Sequence, residues 1–184
     1  FEFDDFLLRR TGAELRLGEP VKSMRYENSN WIINESIKTP LVVGAGGHFC
    51  PVTRLINKKD PNETAVAAQE VEFEMSSGQA EQCPVDGETP ELFFTPDLKG
   101  YGWVFRKGNY LNIGLGREDK HKLSSHVRDF HVRLAMTGLI PKTLPNKFKG
   151  HAYLLSPHAK RELIDDGVLL IGDSAGLAYQ QSGE

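Results

Sequence analysis

A short apolar run near the end of the sequence constrains the fold more than any other segment. Residues 168–171 read Val-Leu-Leu-Ile, and the small residues Gly-Asp-Ser-Ala-Gly follow at 172–176. A short apolar run without polar alternation is typical of a strand buried on both faces of a parallel sheet. A tight turn and a helix start after such a strand bring backbone N–H groups and the positive end of a helix dipole close to a ligand. The pattern therefore places Asp173 where open α/β sheets bind ligands, although an ordinary N-cap aspartate fits the spacing equally well.

The overall composition bounds the class of protein. With 184 residues the chain has room for one or two small domains, and 22 basic residues against 25 acidic ones give no indication of nucleic-acid binding. No apolar run approaches the roughly 20 residues that span a bilayer. The two cysteines, Cys50 and Cys83, form no CxxC pair, and the six histidines are scattered. We therefore predict no metal site and expect a reducing, cytoplasmic compartment.

The middle of the sequence carries the period of two that is typical of an antiparallel sheet. Val71, Phe73 and Met75 alternate with glutamates, and residues 100–116 read as a hairpin with its turn at 107–109. Three aromatic side chains should project from one face of this hairpin, those of Tyr101, Trp103 and Phe105. Such a row is either core or a wall for an apolar ligand, and we expect at least one of the three to be core.

Helical spacing predicts two helices, one at the start of the chain and one over residues 124–137 that covers the sheet. The inward residues of the second helix would be Val127, Phe130, Leu134 and Met136. The other expected elements are strands over 13–17, 21–26, 31–35, 41–43 and 91–95 and a loop over 76–90.

The two ends of the sequence indicate a piece of a longer protein. The chain opens directly in a helical pattern, and it stops two residues after Ser182, where a helix is expected to continue. The dinucleotide-binding pattern Gly-x-Gly-x-x-Gly after an opening strand is absent. We therefore expect the front and the back of a longer protein to be missing.

Three motifs resemble those of FAD-dependent oxidoreductases of the geranylgeranyl reductase and p-hydroxybenzoate hydroxylase type. Residues 169–177, Leu-Leu-Ile-Gly-Asp-Ser-Ala-Gly-Leu, with Ser-Gly-Glu at 182–184, are similar to the second flavin motif of that superfamily. Residues 44–54 are similar to its Gly-Ala-Asp-Gly-x-x-Ser-x-Val-Arg motif, with Gly46 in place of aspartate and Cys50 in place of serine. The aromatic hairpin is similar to the Tyr-x-Trp-x-Phe-Pro signature of geranylgeranyl reductases, with Arg106 in place of proline.

The resemblance implies an α/β (α+β) architecture in two parts. Residues 1–57 and 160–184 would be parts of a FAD-binding Rossmann-like domain, and residues 58–159 would form a substrate domain of antiparallel sheet with a covering helix. Asp173 would bind a ribityl hydroxyl of FAD. The other residues implied to approach the cofactor are Gly172, Ser174, Ala175 and Gly176, through their backbone, and Gly183, near the isoalloxazine ring. Tyr101, Trp103 and Phe105 would line the pocket for an isoprenoid.

The implied reaction is reduction of a carbon–carbon double bond of an isoprenoid or other apolar small-molecule substrate by reduced FAD, with NAD(P)H or a redox protein as electron donor. Flavin-dependent aromatic hydroxylation is the alternative, and an inactive substrate-domain scaffold is another. No side chain is required as a base, and Tyr101 and Cys50 are the candidate proton donors. Peripheral membrane contact stays open. Because the glycine-rich loop would supply much of the affinity for FAD, we expect this chain to bind FAD weakly or not at all.

Overall fold

A computed structural model of the chain describes residues 2–58, 63–118, 122–145, 147–156 and 159–179. The chain divides into two compact units, residues 1–42 and 43–184. The mixed α/β composition of these units, with antiparallel sheets, confirms the predicted fold class.

The first unit holds helix α1, Glu2–Arg10, and a three-stranded antiparallel sheet of β1, Met24–Glu27, β2, Asn30–Ile33, and β3, Ile37–Thr39. Asn28 and Ser29 both have positive φ, as the two-residue turn between β1 and β2 requires. The expected strand over 13–17 is wrong. Those residues lack a partner strand and form irregular backbone, and the segment that follows is held by the Asn34 side chain, which accepts hydrogen bonds from the N–H groups of Lys22 and Ser23 at 2.7 and 3.2 Å.

The second unit contains the other elements formed by the described residues. Its helices are α2, Pro51–Ile56, α3, Ser77–Gln82, and α4, Leu123–Met136, and its strands are β4, Val42–Gly44, β5, Ala65–Glu74, β6, Glu91–Phe94, β7, Gly100–Lys107, β8, Tyr110–Arg117, β9, Lys149–Leu154, β10, Ile164–Asp165, and β11, Val168–Leu170. Strand β4 begins one residue before this unit. A single turn of 3-10 helix, Gly172–Ser174, follows β11.

Five antiparallel strands in the order β6-β7-β8-β5-β9 form the main sheet. The predicted hairpin is confirmed as β7 and β8, which are joined by Gly108 and Asn109. Helix α4 covers one face of the sheet and encloses a core that includes Val104, Leu111, Ile113, Val127, Phe130 and Leu134. Met136 is 83% exposed, so its predicted inward position is wrong. It lies two residues beyond Leu134 and therefore points to nearly the opposite side of the helix.

The expected loop over 76–90 contains helix α3. Its start is fixed by a capping box, in which the Ser76 hydroxyl accepts from the Gln79 N–H and the Gln79 side chain accepts from the Ser76 N–H. The pattern Ser-x-x-Gln was the available signal for this helix.

The small sheet that ends at β11 differs from the prediction of a strand buried on both faces. Strand β11 pairs antiparallel with β10, in the strand order β10-β11-β4. Val168 and Leu170 are buried, whereas Leu169 and Ile171 are 36% and 50% exposed. The expected α-helix does not begin among the described residues up to 179, because Gly172 and Gly176, at φ 56° and 70°, interrupt helical backbone on both sides of the 3-10 turn.

No membrane-spanning helix occurs in the part of the chain that the structure describes. The 14 residues of α4 fall well short of the roughly 20 that a spanning helix needs.

Candidate site at the aspartate turn and the aromatic face

The turn over Gly172–Gly176, here called the aspartate turn, is fixed by bonds to its backbone. The Thr53 hydroxyl donates to the Ser174 carbonyl at 3.0 Å, and the Ser174 hydroxyl donates to the Gly47 carbonyl at 3.1 Å. Arg161 Nη1 donates to the Ser174 and Asp173 carbonyls at 2.8 and 3.3 Å. Since two separate segments hold the turn, the one at 47–53 and the one at Arg161, the turn presents a defined surface while Asp173 itself remains exposed.

Cys50 brings the glycine-rich segment to the same turn. It is the N-cap residue of α2 and is 2% exposed. Burial raises the pKa of its thiol, but hydrogen bonds from the backbone of Thr53 and Gly46 and from the Ser174 side chain outweigh burial, so the pKa lies below its usual value. The two motifs at 44–54 and 169–177, which are over a hundred residues apart in the sequence, therefore lie together in the structure.

The face of the main sheet opposite α4, here called the aromatic face, carries the predicted row of side chains. Tyr101 and Trp103 have ring centroids 5.9 Å apart, and Trp103 and Phe105 are stacked at 6.3 Å. Phe94 extends the row, 6.3 Å from Tyr101. The expectation that at least one of the three is buried is confirmed by Trp103, at 9% exposure, whereas Tyr101 and Phe105 are half-buried.

Trp103 is held rigidly on this face. Its indole Nε1 donates to Asn112 Oδ1 at 2.7 Å, and the Asn112 amide in turn donates to the carboxylate of Glu72 at 3.2 Å. The ring lies against Gly114, where an added Cβ would come within 2.1 Å of the indole. The absence of a side chain at 114 is therefore what lets the indole lie flat against the sheet.

Small residues continue across the sheet from Tyr101. Its neighbours along the pairing register are Gly116 and then Ala68, followed by His151 on β9. His151 stacks with Tyr153 at 6.3 Å, so aromatic side chains border the small residues on both sides. This row of small residues between Tyr101 and the β9 aromatics is here called the trough, and its floor residues Gly116 and Ala68 are buried.

Tyr153 connects this trough to the aspartate turn. Burial raises the pKa of Tyr153 to about 12, and the charges of Tyr101 and Asp173 act in the same direction. The chain just beyond the aspartate turn lies against the same part of the sheet, since Ala178 pairs with Leu155 and packs in one cluster with Val66 and Tyr153. Strand β9 therefore runs from the aromatic face to the aspartate turn.

Arg106 occupies the position of the proline in the family signature. Strand β7 continues through this residue to Lys107. Its guanidinium donates to the carbonyls of Ala80, Cys83 and Gly108 at 3.0, 3.1 and 3.0 Å. Arg106 therefore ties α3 to the end of the hairpin.

The predicted cofactor residues fall into three groups. Gly172 and Asp173 are exposed, Ser174, Ala175 and Gly176 are buried, and Gly183 lies outside the described residues. The buried members can present only backbone to a ligand. Two residues at this site were not predicted, Tyr153 and Arg161. Tyr153 follows the strand alternation of β9, whereas the bonds of Arg161 to backbone carbonyls leave no signal in the sequence.

Comparison with known proteins identifies the relatives of this chain. No family model matches it. Over 95% of its length it is 28% identical to a digeranylgeranylglycerophospholipid reductase of Methanococcus vannielii. The chain is a homologue of the geranylgeranyl reductases. The predicted resemblance is thereby confirmed. The chain spans about half the length of the curated relatives it matches, 46% and 48% for two methanogen reductases.

Comparison with solved structures confirms that this chain has the fold of a geranylgeranyl reductase-like protein and of a protein solved with FAD. A geranylgeranyl bacteriochlorophyll reductase-like protein of Thermoplasma acidophilum superposes with a TM-score of 0.72 at 20% identity, over 96% of this chain and 47% of that protein. CtdE, solved in complex with FAD and a substrate, gives a TM-score of 0.63 at 16% identity, over 94% of this chain and 49% of that protein.

Proposed function

We propose that this chain forms part of a FAD-dependent oxidoreductase that reduces carbon–carbon double bonds of an isoprenoid or other apolar substrate. The observation that carries the proposal is the packing of Ala178, two residues after the aspartate turn, with Val66 and Tyr153, because it joins the cofactor motif to the strand that borders the aromatic face. The sequence identity to a reductase of isoprenoid lipids supports the reaction class. The electron donor would be NAD(P)H or a redox protein.

The aspartate turn fits the ribityl part of FAD. An ionised carboxylate accepts hydrogen bonds from hydroxyl groups, and that of Asp173 is on an exposed residue. A Cβ added at Gly172 would meet no atom within 4 Å, so the surface beside the carboxylate is open. When bound and reduced, FAD would supply the hydride.

The side chains of the protein would orient the cofactor and shield the apolar substrate from water. Asp173 would orient the cofactor tail, while Tyr101 and Phe105 would exclude water from an apolar chain lying in the trough. Trp103, fixed by Asn112, would keep the wall of that trough rigid. Cys50 is too enclosed to reach a substrate by itself, so the half-buried Tyr101 is the remaining candidate proton donor.

We also propose that residues 1–57 and 160–184 belong to the FAD-binding domain and residues 58–159 to the substrate domain. Two observations support this division. Strand β11 lies between β10 and β4, and Asn57 and Glu162 exchange hydrogen bonds at 3.0 and 2.7 Å between the Asn57 amide and the Glu162 backbone. Segments on either side of the main sheet in sequence are thus joined directly.

The test of cofactor binding uses amide NMR shifts, which report weak binding as well as tight binding. Adding FAD to the chain should shift the amides of the aspartate turn, and Asp173→Asn should reduce that response because a neutral amide is a poorer acceptor. Asp129→Asn, on the exposed side of α4, is the matched control and should respond like the unmodified chain. Shifts that avoid residues 172–176, or that are equal in Asp173→Asn, would contradict the proposal.

The test of reaction class compares two conditions in the whole protein. Anaerobic saturation of a geranylgeranyl chain in the presence of chemically reduced FAD is expected. Product that forms only with oxygen and carries a new hydroxyl group would favour the monooxygenase alternative instead.

A further inference from the structure

Arg161 is the buried link between the aspartate turn and the main sheet. Its side chain is 6% exposed and pairs with Glu63, which is 25% exposed. Arg161 Nε and Nη2 donate to the two carboxylate oxygens of Glu63 at 3.3 and 2.9 Å, and Nη1 donates to the Asp173 and Ser174 carbonyls. All three nitrogens of the guanidinium are therefore bonded.

The geometry of this contact requires arginine. A planar guanidinium can bind both oxygens of one carboxylate while its third nitrogen points elsewhere, whereas a lysine ammonium is a single point donor. Burial adds to the requirement, because an unpaired charge in this position would carry a large desolvation penalty. Arg161 therefore holds its two partners at a fixed spacing.

The partners of Arg161 lie on the two halves of the candidate site. Glu63 precedes β5, whose Val66 is the register partner of Tyr153. Val66 also packs with Leu155 and Ala178. The other partner is the backbone of Asp173 itself. The pair thus connects the segment before β5, the strand that pairs with Tyr153 through Val66, to the backbone of the aspartate turn.

We propose that Arg161, oriented by Glu63, is a positioning residue that sets the direction of the Asp173 carboxylate toward the cofactor without touching the cofactor. The inference rests on the proposed function, because it takes FAD as the ligand of Asp173. In this proposal the Glu63–Arg161 pair also fixes the distance between the aspartate turn and the aromatic face.

The test compares Arg161→Gln with Arg117→Gln in the chain. Arg117 is a matched control because its side chain is 3% exposed and pairs with Asp97 at 2.7 Å, so both changes break a buried arginine–carboxylate pair. The readouts are urea stability, hydrogen exchange of the Ala175 and Gly176 amides, which close the turn by donating to the Gly172 and Asp173 carbonyls, and the NMR response to FAD.

Both variants should lose stability, but only Arg161→Gln should speed exchange of the two turn amides and weaken the FAD response, each by about 10- to 100-fold, the factor expected for lost hydrogen bonds to a charged group. Arg161→Lys should retain the positive charge but restore little of the protection of the Ala175 and Gly176 amides against hydrogen exchange. Equal effects of the two glutamine variants on the turn, or full protection in Arg161→Lys, would overturn the proposal.

A variant that is milder for folding keeps the test decisive. Glu63→Gln preserves the size and one acceptor of the partner, and it should speed exchange of the turn amides in the same direction by a smaller factor. Unchanged exchange in Glu63→Gln would also overturn the proposal. Failure of the proposed function is distinct, because it would appear as FAD-induced shifts that avoid residues 172–176 in the unmodified chain, whereas the exchange comparison needs no FAD.

Discussion

Replacing Gly114 by alanine should disrupt the aromatic face more than its small size suggests. The new Cβ would lie 2.1 Å from Trp103 Cζ2 and 2.4 Å from Cε2, which is far inside van der Waals contact. The indole must therefore tilt away from β8, and its hydrogen bond to Asn112 is lost with it. The change perturbs one wall of the proposed substrate trough without removing any side chain.

The cost can be worked from these contacts. Overpacking a well-packed site costs about 1–3 kcal/mol, and the lost indole hydrogen bond adds about 1 kcal/mol. Alanine regains about 0.5–1 kcal/mol relative to glycine in a strand. The free energy of unfolding should therefore fall by about 1–3.5 kcal/mol, a large share of the roughly 5–15 kcal/mol that stabilises a typical protein.

The assay is urea denaturation of the chain, with near-ultraviolet circular dichroism as the probe of the Trp103 environment. Gly116→Ala is the control, because it lies two residues along the same strand and its Cβ would meet Ala68 Cβ at 3.4 Å, an ordinary contact. Its stability should change little. If the two variants were equally stable, or if Gly114→Ala kept the tryptophan signal, the account of the indole resting on Gly114 would be refuted.

The remaining predictions concern the turn, the phenol and a helix cap. Gly176→Ala should destabilise the fold by about 1–3 kcal/mol, because φ is 70° and the Cβ would come within 2.7 Å of Ala159 Cβ; an unchanged urea midpoint would contradict this. Burial raises the pKa of Tyr153 to about 12, so the stability it contributes is complete below the ordinary tyrosine pKa of about 10 and is lost as pH rises toward 12. In Tyr153→Phe the free energy of unfolding should therefore fall less between pH 10 and 12 than in the unmodified chain. Parallel curves of stability against pH for the two proteins would contradict this prediction. Ser76→Ala removes the cap that binds Gln79 and should cost about 0.5–2 kcal/mol in thermal denaturation, with no loss if the capping box is unimportant.

The parts of the fold that were predictable from the sequence depend on local periodicity. The hairpin of β7 and β8, the long strand β5 and helix α4 each repeat a pattern over eight or more residues, so the buried face follows directly from the spacing. Short elements gave no comparable signal. Strand β10 has only two residues, and the six residues of α3 were recognisable only from their cap.

The residues proposed for the candidate site could be named from the sequence, but the way in which the fold brings them together could not. The aspartate motif and the aromatic row could be singled out because they resemble the flavin motif and the hairpin signature of geranylgeranyl reductases. That both lie beside the same strands depends on sheet register and on the path from β9 to the turn, which no local pattern specifies. Arg161 could not be predicted, since Glu63 lies 98 residues away and its other acceptors are backbone carbonyls.

The anchoring of Ser174 also has a consequence for how the chain acquires its structure. Its bonds to Thr53 and Gly47 close loops of 121 and 127 residues, whereas the hairpin and α4 form from near neighbours. Contacts between residues so far apart in sequence cost the entropy of closing a long loop. They therefore form late unless the intervening chain is already compact. During vectorial synthesis on the ribosome, the main sheet can assemble before residue 174 emerges. We therefore expect the aspartate turn to be the last region to gain protection in a refolding pulse-labelling experiment, after the sheet on which it rests.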